Sequence, residues 1–322
     1  MENIKNINNK QYISRLSAFI KQEYGVIAES ITPARRGYYG ETWQLDTYDK
    51  KYFVKIVSLK FHKPLYERSF SVLDYLCEQG VDFISKIVKP LQPKLYTNFE
   101  GATVGVFEWI DGDNVQNEAS KIQEYQMLSK IYAASKQSFD IPHENFSNEK
   151  AELFFHQWQT LESMPQDNTT IAILSLFEQN RIKFEQRAER LIKFSEICKT
   201  DTSHFYITHG DAGGNVIKND DNFYIVDWDD PVYAPPERDA WFCLHWDWAM
   251  NAFNASLKQN GIDYLLRPER LAYYCYSAFF WYLTLNMKIY FEVGNANGDF
   301  AKEISEYLGC WLEDNIKFAD LL

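Results

Sequence analysis

The sequence lacks several features that would assign it quickly to a class of proteins. It has only 5 cysteines in 322 residues, and no two of them form a Cys-X-X-Cys pair. This usage argues against a disulfide framework and predicts reduced, buried thiols in a cytoplasmic protein. The first ten residues are polar and have no apolar signal-peptide core. The aromatic segment 277–290 is interrupted by Asn286 and Lys288, so we expect a buried helix there and no membrane span.

Basic residues are also few relative to acidic ones. Lys and Arg number 33 against 45 Asp and Glu, which gives a formal net charge of −12 at pH 7. This balance disfavours a nucleic-acid partner or an anionic membrane surface, and it is compatible with a cationic ligand. Hydrophobic residues at 46% and aromatic residues at 16% indicate a packed globular protein. The length is sufficient for two lobes or domains.

The spacing of apolar residues changes near residue 110. Before it, strand patterns at 26–34, 41–47, 51–58, 94–98 and 103–109 accompany helical patterns at 10–24 and 64–79. After it, helical patterns cover 117–136, 149–161, 171–197, 237–256, 268–292 and 298–320, and only 205–228 is strand-like. We therefore predict an α+β protein with a small β-rich N-terminal lobe, residues 1–109, and a large helical C-terminal lobe, residues 110–322.

Three oxygen-donor side chains lie close together in the segment 208–228, THGDAGGNVIKNDDNFYIVDW. Asp211 follows a strand-like run, Asn215 comes shortly after it, and Asp227 ends the apolar run FYIV. A carboxylate can orient a hydroxyl group and accept its proton, while an amide oxygen and a second carboxylate suit Mg²⁺. Asp211 and Asn215 each have a simpler interpretation as turn residues, whereas a strand-end carboxylate such as Asp227 is costly to bury unless it binds a cation or several donors. The combination favours phosphoryl transfer.

An isolated lysine, Lys55, lies in the apolar strand pattern KYFVKIV. Such a lysine needs either a counter-charge or a place on a sheet edge. Glu67, near the start of the following helix, is the natural partner, and a Lys55–Glu67 pair would direct the lysine at nucleotide phosphates. The turn RRGYYG, with Gly37 and Gly40, could place backbone N–H groups over phosphates, although an ordinary hairpin would have the same pattern.

In this order, the glycine turn, strand lysine, helix glutamate, His-Gly-Asp loop and strand-end aspartate resemble the aminoglycoside phosphotransferase family. That family has a protein-kinase-like fold of two lobes. The segment 227–242, DWDDPVYAPPERDAWF, is most similar to spectinomycin phosphotransferases, and the resemblance covers about residues 10–245. It implies a nucleotide-binding lobe at residues 1–109 and a helical lobe at residues 110–322 that holds the catalytic loop and the acceptor site.

The resemblance also implies a reaction and a set of site residues. A kinase of this kind uses ATP or GTP with Mg²⁺ and phosphorylates a hydroxyl group of an aminoglycoside- or aminocyclitol-like acceptor. Asp211 would act on the hydroxyl group, His209 would brace the loop, and Asn215 and Asp227 would hold Mg²⁺. The nucleotide would contact Lys55, Glu67, Gly37, Gly40, Glu108 and Ile110. The acidic residues Asp229, Asp230 and Asp247 suit the cationic groups of the acceptor, although Asp229 and Asp230 could instead be a second metal contact or a solvated turn before Pro231.

One departure from the family pattern concerns the catalytic loop. The interval between Asp211 and Asn215 is one residue shorter than in the family, but Gly213 and Gly214 can adopt positive φ angles and tighten the turn, which would let Asn215 reach the metal. Otherwise Mg²⁺ would depend on Asp227 and Asp229. Two alternatives stay open: a metabolic kinase for choline, methylthioribose, homoserine or a ketosamine, and a catalytically silent nucleotide-binding protein. The expected partner is a small cationic acceptor, with no nucleic acid or membrane, and the chain is expected to be a monomer or weak homodimer.

Overall fold

The computed structural model describes residues 9–34, 40–135, 140–294, 300–309 and 312–322. The chain divides into two compact units, Met1–Pro142 with Ile207–Tyr233, and His143–Tyr206 with Ala234–Leu322. This division differs from the predicted boundary near residue 110, because the segment 207–233 returns to the N-terminal part of the chain. There Ile225 forms a parallel bridge with Ile84. The assignment of nucleotide binding to residues 1–109 stays a prediction.

The first unit is built on an antiparallel sheet of five strands in the order β1-β2-β3-β5-β4. The strands are β1 (Ser30–Pro33), β2 (Glu41–Asp46), β3 (Lys51–Val57), β4 (Thr97–Phe99) and β5 (Ala102–Glu108). Helix α1 (Lys10–Tyr24) precedes the sheet, and α2 (Lys63–Glu78) is inserted between β3 and β4. The predicted small β-rich lobe with one inserted helix is therefore confirmed.

Helix α1 covers the sheet with one apolar face. The Asn9 side chain caps its N-terminus by accepting from the N–H groups of the first turn, and Gly25 ends it with φ 70°. The buried residues recur every four positions, which places them along one side of the helix: Tyr12, Leu16, Ile20 and Tyr24. They form one core with the sheet residues Trp43, Leu45, Val54, Ile56, Val104 and Val106. This core holds β3 in place between its two neighbours.

A smaller sheet in the order β6-β8-β9 belongs to the same unit. Its strands are β6 (Asp113–Asn114), β8 (Val216–Asn219) and β9 (Asn222–Ile225), and helix α3 (Glu118–Ala134) follows β6. Gly112 lets β6 approach β8, since its φ is 133° and a Cβ there would lie 2.2 Å from the carbonyl oxygen of Lys218. Two further strands, β7 (Tyr206–Thr208) and β10 (Val232–Ala234), pair with each other.

The second unit is helical. Its helices are α4 (Glu149–Ser163), α5 (Asn168–Gln179), α6 (Arg181–Lys199), α7 (Glu237–Ala240), α8 (Asp247–Gln259), α9 (Pro268–Val293), α10 (Phe300–Leu308) and α11 (Leu312–Asp320). Helix α9 packs against α4, α6 and α11 and forms the centre of the unit, as expected for the segment 277–290. In the described part of the chain, no helix is long and apolar enough to span a bilayer.

Two predicted helices are divided in the structure. The pattern at 171–197 forms α5 and α6, which meet at Asn180, whose side-chain amide donates to the carbonyl oxygen of Leu176. The pattern at 237–256 forms α7, a 3₁₀ turn over Trp241–His245, and α8. Cys77, Cys198, Cys243 and Cys275 are free thiols, whereas Cys310 lies outside the described residues.

Candidate active site

Lys55 is the centre of a buried ion cluster in the first unit. It lies on β3, and its side chain is only 6% exposed. Its Nζ atom donates to Asp227 Oδ1 at 2.5 Å and to Asp229 Oδ2 at 2.6 Å. Burial would lower the pKa of Lys55, but the charges of Asp227 and Asp229 outweigh it and raise that pKa above its ordinary value. The lysine therefore stays charged, and a charged lysine can bind an anionic group.

Asp229 contacts a histidine as well as the lysine. The Nε2 atom of His62 lies 2.7 Å from Asp229 Oδ2, and the two side chains are 6% and 13% exposed. Burial would raise the pKa of Asp229, but Lys55 and His62 lower it below its ordinary value. His62 was not predicted as a site residue. A histidine just before Pro64 and a helical pattern is a weak signal, since helix starts favour Ser, Thr, Asp and Asn.

The predicted Lys55–Glu67 ion pair is not formed in this structure. Glu67 Oε1 instead accepts a hydrogen bond from Thr103 Oγ1 at 2.5 Å and lies 4.0 Å from Lys63 Nζ. The side of α2 that faces Lys55 carries Tyr66, whose hydroxyl group donates to the Lys55 carbonyl oxygen at 3.4 Å. The helix thus places an aromatic ring against the lysine and directs the glutamate toward β5. A nucleotide contact for Glu67 stays a prediction.

His209 fixes the start of the loop that carries Asp211. It is buried, its Nε2 atom donates to the Val226 carbonyl oxygen at 2.9 Å, and its Nδ1 atom accepts from the Asp211 N–H group at 3.1 Å. These two contacts define the Nε2–H tautomer. The ring also packs edge-to-face on Trp228, with 4.6 Å between the centroids. This arrangement agrees with the bracing role expected for His209.

The short loop is tight for a different reason than the one expected. Residues Ala212–Gly214 form a single 3₁₀ turn, and neither Gly213 nor Gly214 has a positive φ. The Gly213 carbonyl oxygen accepts from Lys121 Nζ at 3.1 Å, and the Gly214 carbonyl oxygen accepts from the Asn114 side chain. The 3₁₀ turn and these two side chains therefore hold the loop, without left-handed glycines at positions 213 and 214.

Asn215 lies between Asp211 and the end of the β8–β9 hairpin. Its Nδ2 atom donates to the Asp211 carbonyl oxygen at 2.7 Å and to Asp211 Oδ2 at 3.3 Å. Its own carbonyl oxygen accepts from the Val226 N–H group at 2.9 Å, which puts Asn215 and Asp227 at the same end of the hairpin. Asn215 is therefore in contact with Asp211 despite the short loop.

Asp227 is the candidate metal ligand that is most open to solvent. Its φ is 66°, in the left-handed region, and its side chain is 44% exposed. Among the described residues, no group of three or more His, Cys, Asp and Glu could hold a metal ion. The carboxylate of Asp227 and the amide oxygen of Asn215 are nevertheless the kind of donors that Mg²⁺ takes together with phosphate oxygens and water.

The other residues predicted to contact nucleotide lie around the larger sheet. Gly40 is in close backbone contact with β3, because a Cβ there would lie 2.4 Å from the Ile56 carbonyl oxygen. Glu108 ends β5, and its N–H group donates to the Lys86 carbonyl oxygen at 2.9 Å. Ile110 follows β5 and is partly buried. Gly37 lies outside the described residues.

The three predicted acceptor contacts occupy different places. Asp229 is buried against Lys55 and His62, so its carboxylate is engaged within the first unit. Asp230 is partly buried in the connection between β9 and β10 of that unit. Asp247 is the first residue of α8 and belongs to the second unit.

The chain is similar to a known protein family and to several solved structures. A family model described as the phosphotransferase enzyme family matches residues 30–274. The structure of spectinomycin phosphotransferase APH(9)-Ia in complex with ADP and spectinomycin is similar with a TM-score of 0.74 and 20% identity, over 95% of this chain and 97% of that chain. A search of curated protein sequences finds no match.

Two other solved structures are also similar. Choline kinase LicA from Streptococcus pneumoniae has a TM-score of 0.64 and 16% identity, over 97% of this chain and 100% of that one. Amicoumacin kinase hAmiN, in complex with AMP-PNP, Ca²⁺ and Ami, has a TM-score of 0.62 and 14% identity, over 98% and 95% of the two chains. These likenesses confirm the predicted kinase-like fold. Because the family model matches most of the length of this chain, the chain belongs to the phosphotransferase enzyme family.

Proposed function

We propose that this protein is a small-molecule kinase that transfers the γ-phosphoryl group of ATP or GTP to a hydroxyl group of an aminoglycoside- or aminocyclitol-like acceptor. One observation supports the proposal: two hydrogen bonds bring the four candidate residues together. Lys55 donates to Asp227, which lies just after the β8–β9 hairpin, and Asn215, at the same end of that hairpin, donates to Asp211. A lysine for phosphates, two donors for a cation and a carboxylate for a hydroxyl group are the parts that phosphoryl transfer requires.

Asp211 is the residue assigned to the acceptor hydroxyl group. Its carboxylate is exposed, while its backbone is fixed by His209 and Asn215. The transition state of phosphoryl transfer is loose, so the position of this carboxylate matters more than its basicity. Asp211 would orient the hydroxyl group and accept its proton as the bond to phosphorus forms.

Lys55, Asn215 and Asp227 are assigned to the nucleotide. Lys55 would bind the phosphate oxygens, since it is buried, charged and fixed on a central strand. Asn215 and Asp227 would hold Mg²⁺, which when bound neutralises the charge of the β- and γ-phosphates. The solved structures with ADP or AMP-PNP support a nucleotide ligand for this fold.

The acceptor class is supported by charge and by similarity. The formal net charge of −12 suits a cationic acceptor. The structure with spectinomycin has a TM-score of 0.74, above the 0.64 of the choline kinase. We therefore favour an antibiotic-like amino sugar or aminocyclitol over choline, which is the second candidate.

The test is a coupled assay of ADP or GDP release with Mg²⁺ and a panel of acceptors: spectinomycin, aminoglycosides, choline and neutral sugars. We expect release with at least one amino sugar or aminocyclitol, and Asp211→Ala, which removes both the positioning group and the base, should reduce kcat by about 10²–10⁴-fold. The matched control is Asp221→Ala on the exposed turn between β8 and β9. Release with a neutral acceptor alone would overturn the acceptor class and keep the kinase. Nucleotide binding without release on any acceptor would support a silent protein instead.

A further inference from the structure

We propose that His62 is a positioning residue of the nucleotide site, which holds Lys55 through Asp229 in place of a helix glutamate. This role rests on the proposed function, in which Lys55 binds nucleotide phosphates. The contacts that support it lie within the protein itself, so they can be tested independently of catalysis.

A single carboxylate oxygen joins the histidine to the lysine. Asp229 Oδ2 lies 2.7 Å from His62 Nε2 and 2.6 Å from Lys55 Nζ. The side chains of His62 and Lys55 are each 6% exposed, and that of Asp229 is 13% exposed. Water therefore cannot readily replace a lost partner, and a buried carboxylate with one donor removed is free to turn. His62 fixes the orientation of Asp229, and Asp229 fixes Lys55.

The rotation of α2 about its own axis explains why a histidine has this role. His62 occupies the N-cap position of α2, where its side chain makes no capping hydrogen bond, and Tyr66 lies four positions later, so the two are on the same side of the helix. Glu67 lies about 100° further around the helix and is bonded to Thr103. Gly105, the partner of Lys55 in the β3–β5 register, leaves room for Tyr66, because a Cβ there would lie 2.4 Å from the tyrosine hydroxyl oxygen. The helix thus contacts Lys55 through Tyr66, and His62, just before the helix, is linked to Lys55 only through Asp229.

The position of Asp229, close to the candidate metal ligand Asp227, indicates what this arrangement does. Asp229 is two residues after Asp227, and its N–H group donates to the Asp227 carbonyl oxygen at 3.0 Å. Asp227 is assigned both to Lys55 and to Mg²⁺, whereas Asp229 is buried and held by His62. Asp229 would therefore be the carboxylate that keeps Lys55 in place if Asp227 served as a ligand of Mg²⁺.

The test uses His62→Ala and His62→Gln, because a glutamine keeps an N–H donor at a reach similar to Nε2. In the protein without nucleotide, acylation of Lys55 by acetic anhydride is measured by mass spectrometry relative to the exposed Lys50. We expect His62→Ala to raise the relative acylation of Lys55 by about three- to tenfold, as the loss of one charge-assisted hydrogen bond implies, and His62→Gln to stay near the wild type. The matched control is His156→Ala on the exposed side of α4.

Steady-state kinetics supply the second measurement. His62→Ala should raise KM for the Mg²⁺-nucleotide by a similar factor and leave KM for the acceptor unchanged, and His62→Gln should restore most of the loss. A general loss of folding would instead lower the apparent kcat, leave both KM values unchanged and alter the circular dichroism spectrum.

Two results would overturn the proposal. The first is wild-type acylation of Lys55 and wild-type nucleotide KM in His62→Ala. The second is a larger effect of Glu67→Gln than of His62→Ala on Lys55 acylation, which would show that the glutamate holds the lysine in solution. If the wild-type protein bound no nucleotide, the proposed kinase would fail, while the acylation measurement would still decide whether His62 holds Lys55.

Discussion

Replacing Asn215 by aspartate separates two roles that this residue could have in the catalytic loop. As a hydrogen-bond donor, Asn215 orients Asp211, since its Nδ2 atom lies 3.3 Å from Asp211 Oδ2 and 2.7 Å from the Asp211 carbonyl oxygen. As a metal ligand alone, it would offer only its amide oxygen. Asn215→Asp removes the donor but keeps an oxygen ligand, whereas Asn215→Ala removes both.

The size of the effect follows from the distance. Two unit charges 3.3 Å apart repel each other by 332/(ε × 3.3), about 5 kcal/mol at an effective dielectric constant of 20 and about 1.3 kcal/mol in water. Asp211 is exposed, so screening favours the lower end, about 1–2 kcal/mol. This repulsion would turn the Asp211 carboxylate away from the acceptor, and about 1.4 kcal/mol corresponds to a tenfold loss of kcat/KM.

The assay compares kcat/KM of the two variants at saturating Mg²⁺, with Asn222→Asp on the exposed start of β9 as the control for the added charge. If Asn215 orients Asp211, Asn215→Asp is about tenfold worse than wild type and no better than Asn215→Ala. The reasoning is refuted if Asn215→Asp keeps wild-type activity while Asn215→Ala loses it, because the oxygen ligand alone would then be sufficient.

Two further predictions concern stability. Gly105→Ala should lower the free energy of unfolding by about 1–3 kcal/mol, since its Cβ would lie 2.4 Å from the Tyr66 hydroxyl oxygen and 2.6 Å from a Phe70 ring carbon. Urea unfolding tests this against Gly309→Ala, whose Cβ would meet nothing closer than 3.9 Å, and equal values for the two variants would contradict it. Burial raises the pKa of the Glu237 carboxyl group above its ordinary value of 4.5, because the charged form is poorly solvated. The contribution of Glu237 to the stability of the protein is therefore fully present at pH values below its unfolded-state pKa, where the group is protonated. That contribution is lost as the pH rises through the folded-state pKa. Glu237→Gln should therefore flatten the fall of Tm between pH 4 and pH 8, and an unchanged pH profile would disprove a raised pKa.

Much of the fold follows from the spacing of apolar residues. The patterns at 41–47 and 51–58 correspond closely to β2 (Glu41–Asp46) and β3 (Lys51–Val57), because both strands bury apolar residues against α1. The break at Asn180 was not predicted, since asparagine inside a long apolar periodicity is only a weak stop signal. Strand β6 has two residues, which is too short to show a period of two.

The candidate site was predicted where its residues are close in sequence. Asp211, Asn215 and Asp227 lie on one loop and hairpin, so their spacing alone brings them to neighbouring positions. The partners of Lys55 were harder to predict, because Asp227 and Asp229 are 172 and 174 residues away from it in the sequence. Contacts over such separations depend on how the elements pack, and no local periodicity records that.

The direction of α2 shows which sequence signal would have identified the true partners of Lys55. Whether Tyr66 or Glu67 faces the lysine depends on the space above β5, and that space exists because residue 105, opposite Lys55, is a glycine. A glycine within an otherwise apolar strand indicates that another group approaches the backbone closely. The group that enters here is the Tyr66 ring, and its entry turns Glu67 toward Thr103. A buried lysine without its helix glutamate needs another counter-charge, and the fold supplies it with the two aspartates after β9, Asp227 and Asp229.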